Sequence, residues 1–279
     1  MMAGRSLGPV IINGDPHEPD TASVSVFDIG FQRGYGCFEA MRSYGGVPFR
    51  LAGHLDRLDA SAQNLHIGLP SRDRIVGWCL RASAPGDGVL RLYVTGGTDP
   101  KRPGTDNAVV VFLEPLPEIP ETVRLDLLDA PWHADGRTSE LTGAKTMSYG
   151  PNLAATIKAR SNGFDDAALV GSLDVVLEGP TFSIGWVRDG AVCTPALDSH
   201  ILASITREAT IEVATSLGIP VREERFVRDD LLAADEVFIM STVREVLPVT
   251  AVGAATFDVG PVVQALRHGF RELVARETS

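Results

Sequence analysis

Leu141-Thr-Gly-Ala-Lys145-Thr-Met-Ser-Tyr149 is the stretch on which the reading of this chain turns. The chain has three lysines, and Lys145 alone lies among small and apolar residues with no neighbouring charge. Lys101 sits in the loop Asp99-Pro-Lys-Arg-Pro-Gly104, and Lys158 falls on the polar side of an expected helix. A lysine in such a setting is poorly hydrated, and desolvation disfavours its charged form. The neutral amine is a nucleophile able to form Schiff bases. A solvated lysine with its stem laid on apolar surface would have the same local sequence. The rest of the chain decides between the two.

Working outward toward the C-terminus, Pro151 to Arg160 reads as a helix, with Pro151 in its first turn and Gly163 past its end. Before Lys145, Thr122 to Leu128 reads as a strand. After the helix come strands at Ala167 to Gly171 and Val175 to Leu177. Glu178 ends that apolar run and precedes Gly-Pro, so its carboxylate faces a cleft or solvent. Phe182 to Val187 and Ala191 to Thr194 form a hairpin turned at Asp189-Gly190. Ser204 opens a helix that Gly218 ends. The free N–H groups of its first turn suit an anion, and Ser204 equally suits an ordinary N-cap. Glu236 to Met240 is a strand running into Ser241-Thr-Val243, Val246 to Val249 is another, and Pro261 to Ala275 is an amphipathic helix.

Toward the N-terminus, Val10 to Ile12 with Asn13-Gly14 reads as strand and turn, and Ser23 to Val26 alternates as a half-buried strand. Gly30, Gly34 and Gly36 mark a tight loop where backbone passes close to something. Their spacing is not that of a dinucleotide-binding turn. Phe38 to Ser43 and Val47 to Leu51 pair as a hairpin around Gly45-Gly46. Leu51 to Ile67 is a helix ended by Gly68, with Arg57 beside its buried stripe, where it snorkels or serves an anion. A second helix starts at Ser71, with Ile75, Val76, Cys79 and Leu80 as its apolar residues. Val89 to Val94 is a strand with Arg91 facing away from Leu90 and Leu92. Asn107 to Leu113 is a strand apolar enough to be buried on both faces. Glu114-Pro-Leu-Pro-Glu-Ile-Pro-Glu121 then interrupts regular structure. The expected organisation is an N-terminal domain over 1–116, a linker over 117–121 and a C-terminal domain over 122–279.

The 279 residues, 44% hydrophobic and 22% charged, fit a globular protein with ample room for a core. A formal net charge of −11 disfavours nucleic acid and anionic membranes as partners. No apolar run is long enough to span a bilayer, and Met1-Met-Ala-Gly-Arg-Ser6 lacks the core of a signal peptide. Three widely spaced cysteines suggest neither disulfides nor a metal cluster, and the six histidines lack metal-ligand spacing. A reducing cytoplasm is the expected location, with no metal.

An amine nucleophile, a carboxylate, an arginine and two hydroxyl-bearing turns are the parts of a pyridoxal phosphate site. The chain resembles the class IV, or fold type IV, pyridoxal phosphate enzymes. The resemblance runs through Gly34-x-Gly-x-Phe-Glu39, His54-Leu-Asp-Arg-Leu58, Lys145-x-x-x-Tyr149, Leu177-Glu-Gly179, Thr194-Pro195, Ser204-Ile-Thr-Arg207, Ala234-Asp-Glu-Val-Phe238 and Ser241-Thr242. It implies that Lys145 is the Schiff-base lysine and moves the substrate proton. It implies that Glu178 faces the pyridine nitrogen and Arg57 binds the phosphate. Thr206 and Thr242, with the N–H groups of Ile205 and Val243, would close the phosphate cup, and Tyr149 would lie near the cofactor's phenolic oxygen. The implied α/β fold has a smaller N-terminal and a larger C-terminal domain with the site between them, in a homodimer. The implied reaction is ping-pong transfer of an amino group between an amino acid and a 2-oxo acid.

Departures from the family's patterns bear on the substrate. Aminodeoxychorismate lyases carry a threonine where this chain has Glu39 or Ala40, and Arg-Gly where it has Gly96-Gly97. D-Amino acid aminotransferases of the best-known type use that arginine for the substrate carboxylate. Branched-chain enzymes commonly have Tyr-x-Arg where this chain has Val89-Leu-Arg91. Arg33, in the glycine loop, is the unusual residue: its guanidinium suits a carboxylate. Arg33 and Arg91 are therefore the candidate substrate residues of a non-standard D-amino acid transaminase, with (R)-amines as a further substrate class. The alternatives are an L-branched-chain aminotransferase and the 4-amino-4-deoxychorismate lyase.

Overall fold

Alternating apolar residues build the first sheet of the computed structural model, which describes residues 6–133 and 138–279. The signal-peptide reading rests mainly on residues 1–5 and lies outside them. The chain divides into two compact units: 1–118 with 144–149 and 277–279, and 119–143 with 150–276.

In the first unit the elements are β1 (Val10–Ile12), β2 (Asp15–His17), α1 (Ile29–Arg33), β3 (Gly36–Tyr44), β4 (Val47–Pro48), α2 (Leu51–Asn64), α3 (Arg72–Ser83), β5 (Gly88–Thr95) and β6 (Val109–Glu114). The strands form an antiparallel sheet in the order β2-β1-β6-β5-β3-β4. One sheet face presents Met41, Leu90, Leu92, Val111 and Leu113. They pack with Leu55 and Leu58 of α2 and Ile75, Trp78 and Cys79 of α3. Burying each large side chain of this set contributes about 1.5–3 kcal/mol.

The second unit contains β7 (Val123–Asp129), α4 (Gly150–Ser161), β8 (Asp166–Val170), β9 (Ser183–Arg188), β10 (Ala191–Pro195), α5 (Ile205–Ser216), β11 (Val221–Glu224), α6 (Arg228–Leu232), β12 (Glu236–Ser241), β13 (Glu245–Val252), β14 (Ala255–Thr256) and α7 (Pro261–Glu277). Its mixed sheet runs β11-β10-β9-β12-β13-β7-β8, with β14 on β13. The pairs β10–β11, β13–β7 and β7–β8 are parallel. Its core centres on Trp186, Ile184, Val237, Ile239, Leu247 and Val249. Among the described residues no helix is long and apolar enough to cross a membrane.

Several expectations give way. Ser23 to Val26 is not a strand: all four residues are exposed and none pairs in a sheet, so the alternation reflects no buried face. β6 is buried on one face only, because Val109, Val111 and Leu113 enter the core while Val110, Phe112 and Glu114 are half-buried. The α2 helix stops at Asn64, since His66 adopts φ 54° well before Gly68. Leu80 is 48% exposed, and Trp78 takes the inward position instead. The strand expected over 175–177 consists of isolated bridges at Val175 and Val176. The tight loop at Gly30 is one turn of helix, α1, closed by Gly34 at φ 65°.

Candidate active site

Within the first unit, backbone bonding to β3 positions the lysine. Phe38 N–H donates to Lys145 C=O at 3.0 Å, Met147 N–H donates to Gly36 C=O at 2.8 Å, and Cys37 bridges Thr146. This pairing draws residues 144–149 out of the expected 122–279 domain and into the first unit. It also explains the glycines. A Cβ at Gly36 would stand 2.5 Å from Met147 Sδ, and one at Gly34 would stand 3.1 Å from Ser148 Oγ. Lys145 N–H donates to Ser61 Oγ at 3.0 Å, and Ser61 Oγ donates to Arg57 C=O at 2.8 Å. Both peptide groups of the lysine are thereby fixed. Its Nζ lies 4.5 Å from the Phe38 ring centroid and 5.5 Å from that of Tyr149, and donates to Tyr149 Oη at 3.2 Å. The rings stabilise the ammonium through their faces. Phe38 stacks on Tyr93 at 5.5 Å, and Tyr93 on Phe112 at 6.0 Å, making an aromatic wall beside the amine.

The other face of β3 carries Glu39, which is fully buried. Arg57 grips it with two bonds, Nε to Oε1 at 2.8 Å and Nη2 to Oε2 at 2.7 Å. His54 Nδ1 lies 2.7 Å from Oε2. A carboxylate only accepts, so Nδ1 carries the proton and donates. Burial alone would push the Glu39 carboxyl up. Arg57 and His54 together outweigh it and hold the group at about 2. Burial depresses His54 below its usual range, against the pull of Glu39 and with help from the Arg57 and Lys145 charges. The same burial, with Glu39 adding to it, pushes Cys37 up to about 12, so no thiolate nucleophile forms there. Arg57 therefore does not snorkel; its side chain is 10% exposed and locked.

Of the substrate candidates, Arg33 stands exposed at the end of α1. Half-buried Arg91 donates from Nε to Glu114 Oε2 at 2.7 Å, so a carboxylate of the chain already balances its charge. Position 96 is closed to side chains. A Cβ there would stand 2.6 Å from Ile29 Cγ1 and 2.8 Å from Tyr35 O. Gly96→Arg should cost roughly 1–3 kcal/mol in thermal or urea denaturation. A variant as stable as the parent would show that α1 yields readily.

In the second unit Glu178 follows the buried run Val175-Val-Leu177 and is itself half-buried. Its Oε1 accepts the Leu202 N–H at 3.2 Å. Gly179 N–H donates to Phe182 C=O at 2.8 Å, closing a turn in which a Cβ at 179 would clash with the tip of the Phe182 ring. Ser204 caps α5 by accepting the Arg207 N–H at 3.2 Å, which puts Ile205 and Thr206 in the first turn, both buried. Ser241 pairs with Glu245, so Thr242 and Val243 occupy the turn between β12 and β13.

Phe38, His54 and Ser61 were not singled out from sequence as site residues. The helical spacing i, i+3, i+7 from His54 through Arg57 to Ser61 marks one stripe of α2 and could have found two of them.

The amino-transferase class IV family matches residues 36–252, well over half the chain. This protein belongs to the class IV aminotransferases. A D-alanine aminotransferase of Listeria monocytogenes is 30% identical over 96% of each chain. A Methanocaldococcus jannaschii relative, whose name of branched-chain-amino-acid aminotransferase is provisional, is 31% identical over 95% of this chain and 96% of its own. The crystal structure of a branched-chain aminotransferase from Thermoproteus uzoniensis with norvaline superposes with a TM-score of 0.87 at 27% identity, covering 97% of this chain and 95% of that one. The enzyme is a fold type IV aminotransferase, and its cofactor is pyridoxal 5′-phosphate. Each unit by itself carries groups of the kind that cofactor takes: in the first a backbone-pinned amine over two rings, and in the second a half-buried carboxylate and the first turn of a capped helix, where N–H groups suit a phosphate.

Proposed function

We propose that this aminotransferase acts on D-amino acids and 2-oxo acids, with (R)-amines as a further substrate class, and that it works as a homodimer. Bound pyridoxal phosphate supplies an electron sink for the substrate's Cα. From the first unit, Lys145 holds the cofactor and then carries the substrate proton, and the Tyr149 phenol orients its amine. Arg57 offers the phosphate a planar guanidinium whose Nε and Nη2 are anchored on Glu39. From the second unit, Glu178 keeps the ring nitrogen protonated. Ile205, Thr206, Thr242 and Val243 hold the phosphate through N–H and hydroxyl groups.

The observation that carries the non-standard D-amino acid reading is Arg33, a guanidinium exposed at the end of α1, while position 96, where the best-known D-amino acid enzymes have an arginine, is closed. An arginine has no room there, so another cation must take the substrate carboxylate. Arg33 is exposed for that role, while Arg91 is paired with Glu114. Val26, Phe27 and Phe31, between 60 and 71% exposed, shortly precede Arg33 in the chain and give a second copy apolar surface to cover. Arg33→Ala should lower kcat/KM for D-alanine with 2-oxoglutarate roughly 10- to 100-fold, the value of a charged hydrogen bond. Unchanged kinetics would remove Arg33 from the substrate site. The aromatic wall of Phe38, Tyr93 and Phe112 favours a second reading, L-branched-chain amino acids. Parallel assays of L-leucine, D-alanine, (R)-phenylethylamine and aminodeoxychorismate separate these readings and the lyase by product.

A further inference from the structure

Arg244 is a half-buried cation that the cofactor assignments leave unused. Its backbone N–H donates to Ser241 Oγ at 3.1 Å, closing the turn that holds Thr242 and Val243. Its guanidinium leaves that turn altogether. Nη1 and Nη2 each lie 3.4 Å from Asp166 Oδ2 at the start of β8, and Nη2 donates to Thr181 Oγ1 at 3.2 Å. Its Cζ stands 4.8 Å from the Phe182 ring centroid. Asp166 is held in turn by Thr156 of α4, whose Oγ1 donates to Oδ1 at 2.9 Å. Thr181 and Phe182 belong to the turn that follows Glu178, and Asn152 Nδ2 braces that turn through Pro180 C=O at 2.8 Å.

One guanidinium therefore joins the 241–245 turn to the 178–182 loop. Burial works against the charged form of Arg244, and the Asp166 carboxylate opposes that effect. A partly desolvated arginine with a buried carboxylate partner is a costly way to close two loops unless their spacing matters. We propose that Arg244 is a positioning residue: it fixes the distance between the phosphate turn, Thr242 and Val243, and the loop that carries Glu178. The proposal rests on the cofactor reading above. Arg244 itself touches neither substrate nor cofactor in this scheme; it sets the gauge for a ligand gripped at both ends.

The test is cofactor affinity of the full-length protein, titrated with pyridoxal phosphate and separately with pyridoxal, which lacks the phosphate. Arg244→Met keeps the stem and removes the fork. It should weaken pyridoxal phosphate binding roughly tenfold and pyridoxal binding less than about twofold, because a ligand held at one end is insensitive to spacing. Arg244→Lys should recover part of the loss. Thr181→Val removes one bond and leaves the charge in place, and should give a smaller loss of the same phosphate-dependent kind. Equal losses for both ligands, or no loss for pyridoxal phosphate, would overturn the proposal. Wild-type binding tests the cofactor reading separately, since its failure would appear before any variant is compared.

Discussion

Lys145→Ala should lower transamination by roughly 10³-fold or more, because the proposed covalent nucleophile and proton carrier are both lost. The fold around it should survive. The lysine is held by its own backbone, through Ser61 Oγ, Phe38 N–H and the Cys37–Thr146 bridge, and alanine keeps all of these. The half-buried Nζ touches Tyr149 and two ring faces, contacts of about 0.5–1 kcal/mol each. The expected pattern is thus a large loss of rate with a near-parental denaturation midpoint. A variant that keeps more than about a tenth of the rate would place the chemistry on another group.

Glu39→Gln should have the largest effect on stability. The substitution leaves the Arg57 guanidinium facing a neutral amide in a site where Glu39 is fully buried. Breaking a buried pair from one side costs roughly 3–5 kcal/mol, read from urea unfolding. The pH dependence has a definite sign. Held at about 2 in the fold against 4.5 ordinarily, Glu39 binds its proton later in the native than in the unfolded chain. Its contribution is complete above about pH 4.5 and is lost as pH falls through about 2. The stability gap between parent and variant should narrow across that window. His54, depressed below 6.5, adds acid lability that starts at higher pH, as the unfolded chain takes up its proton first. A variant as stable as the parent, with the same acid profile, would show that the Glu39, Arg57 and His54 cluster carries no net energy.

Much of the architecture was legible because period and punctuation agreed. The β9–β10 hairpin around Asp189-Gly190, the helix opened by Ser204 and the Pro151 helix start all lie where local chemistry puts them. The failures share a cause. Alternation at Ser23 to Val26 and the apolar run in β6 report what residues could bury, and neighbouring elements decide what they do bury. The site was legible as residue types and only partly as relationships. Glu39 could be quoted as a motif, but its bond to Arg57 joins a strand to a helix eighteen positions away, and no period carries that. Likewise the pairing of residues 145–147 with β3 is a contact across more than a hundred positions. Arg91 looked available from sequence, because its partner Glu114 sits on the adjacent strand.

The most direct test of the central assignment is chemical. The full-length protein is loaded with pyridoxal phosphate, reduced with borohydride, digested and weighed peptide by peptide. A phosphopyridoxyl mass is expected on the peptide containing Lys145 and on no other. That mass on Lys101 or Lys158, or on none of the three, would contradict that assignment.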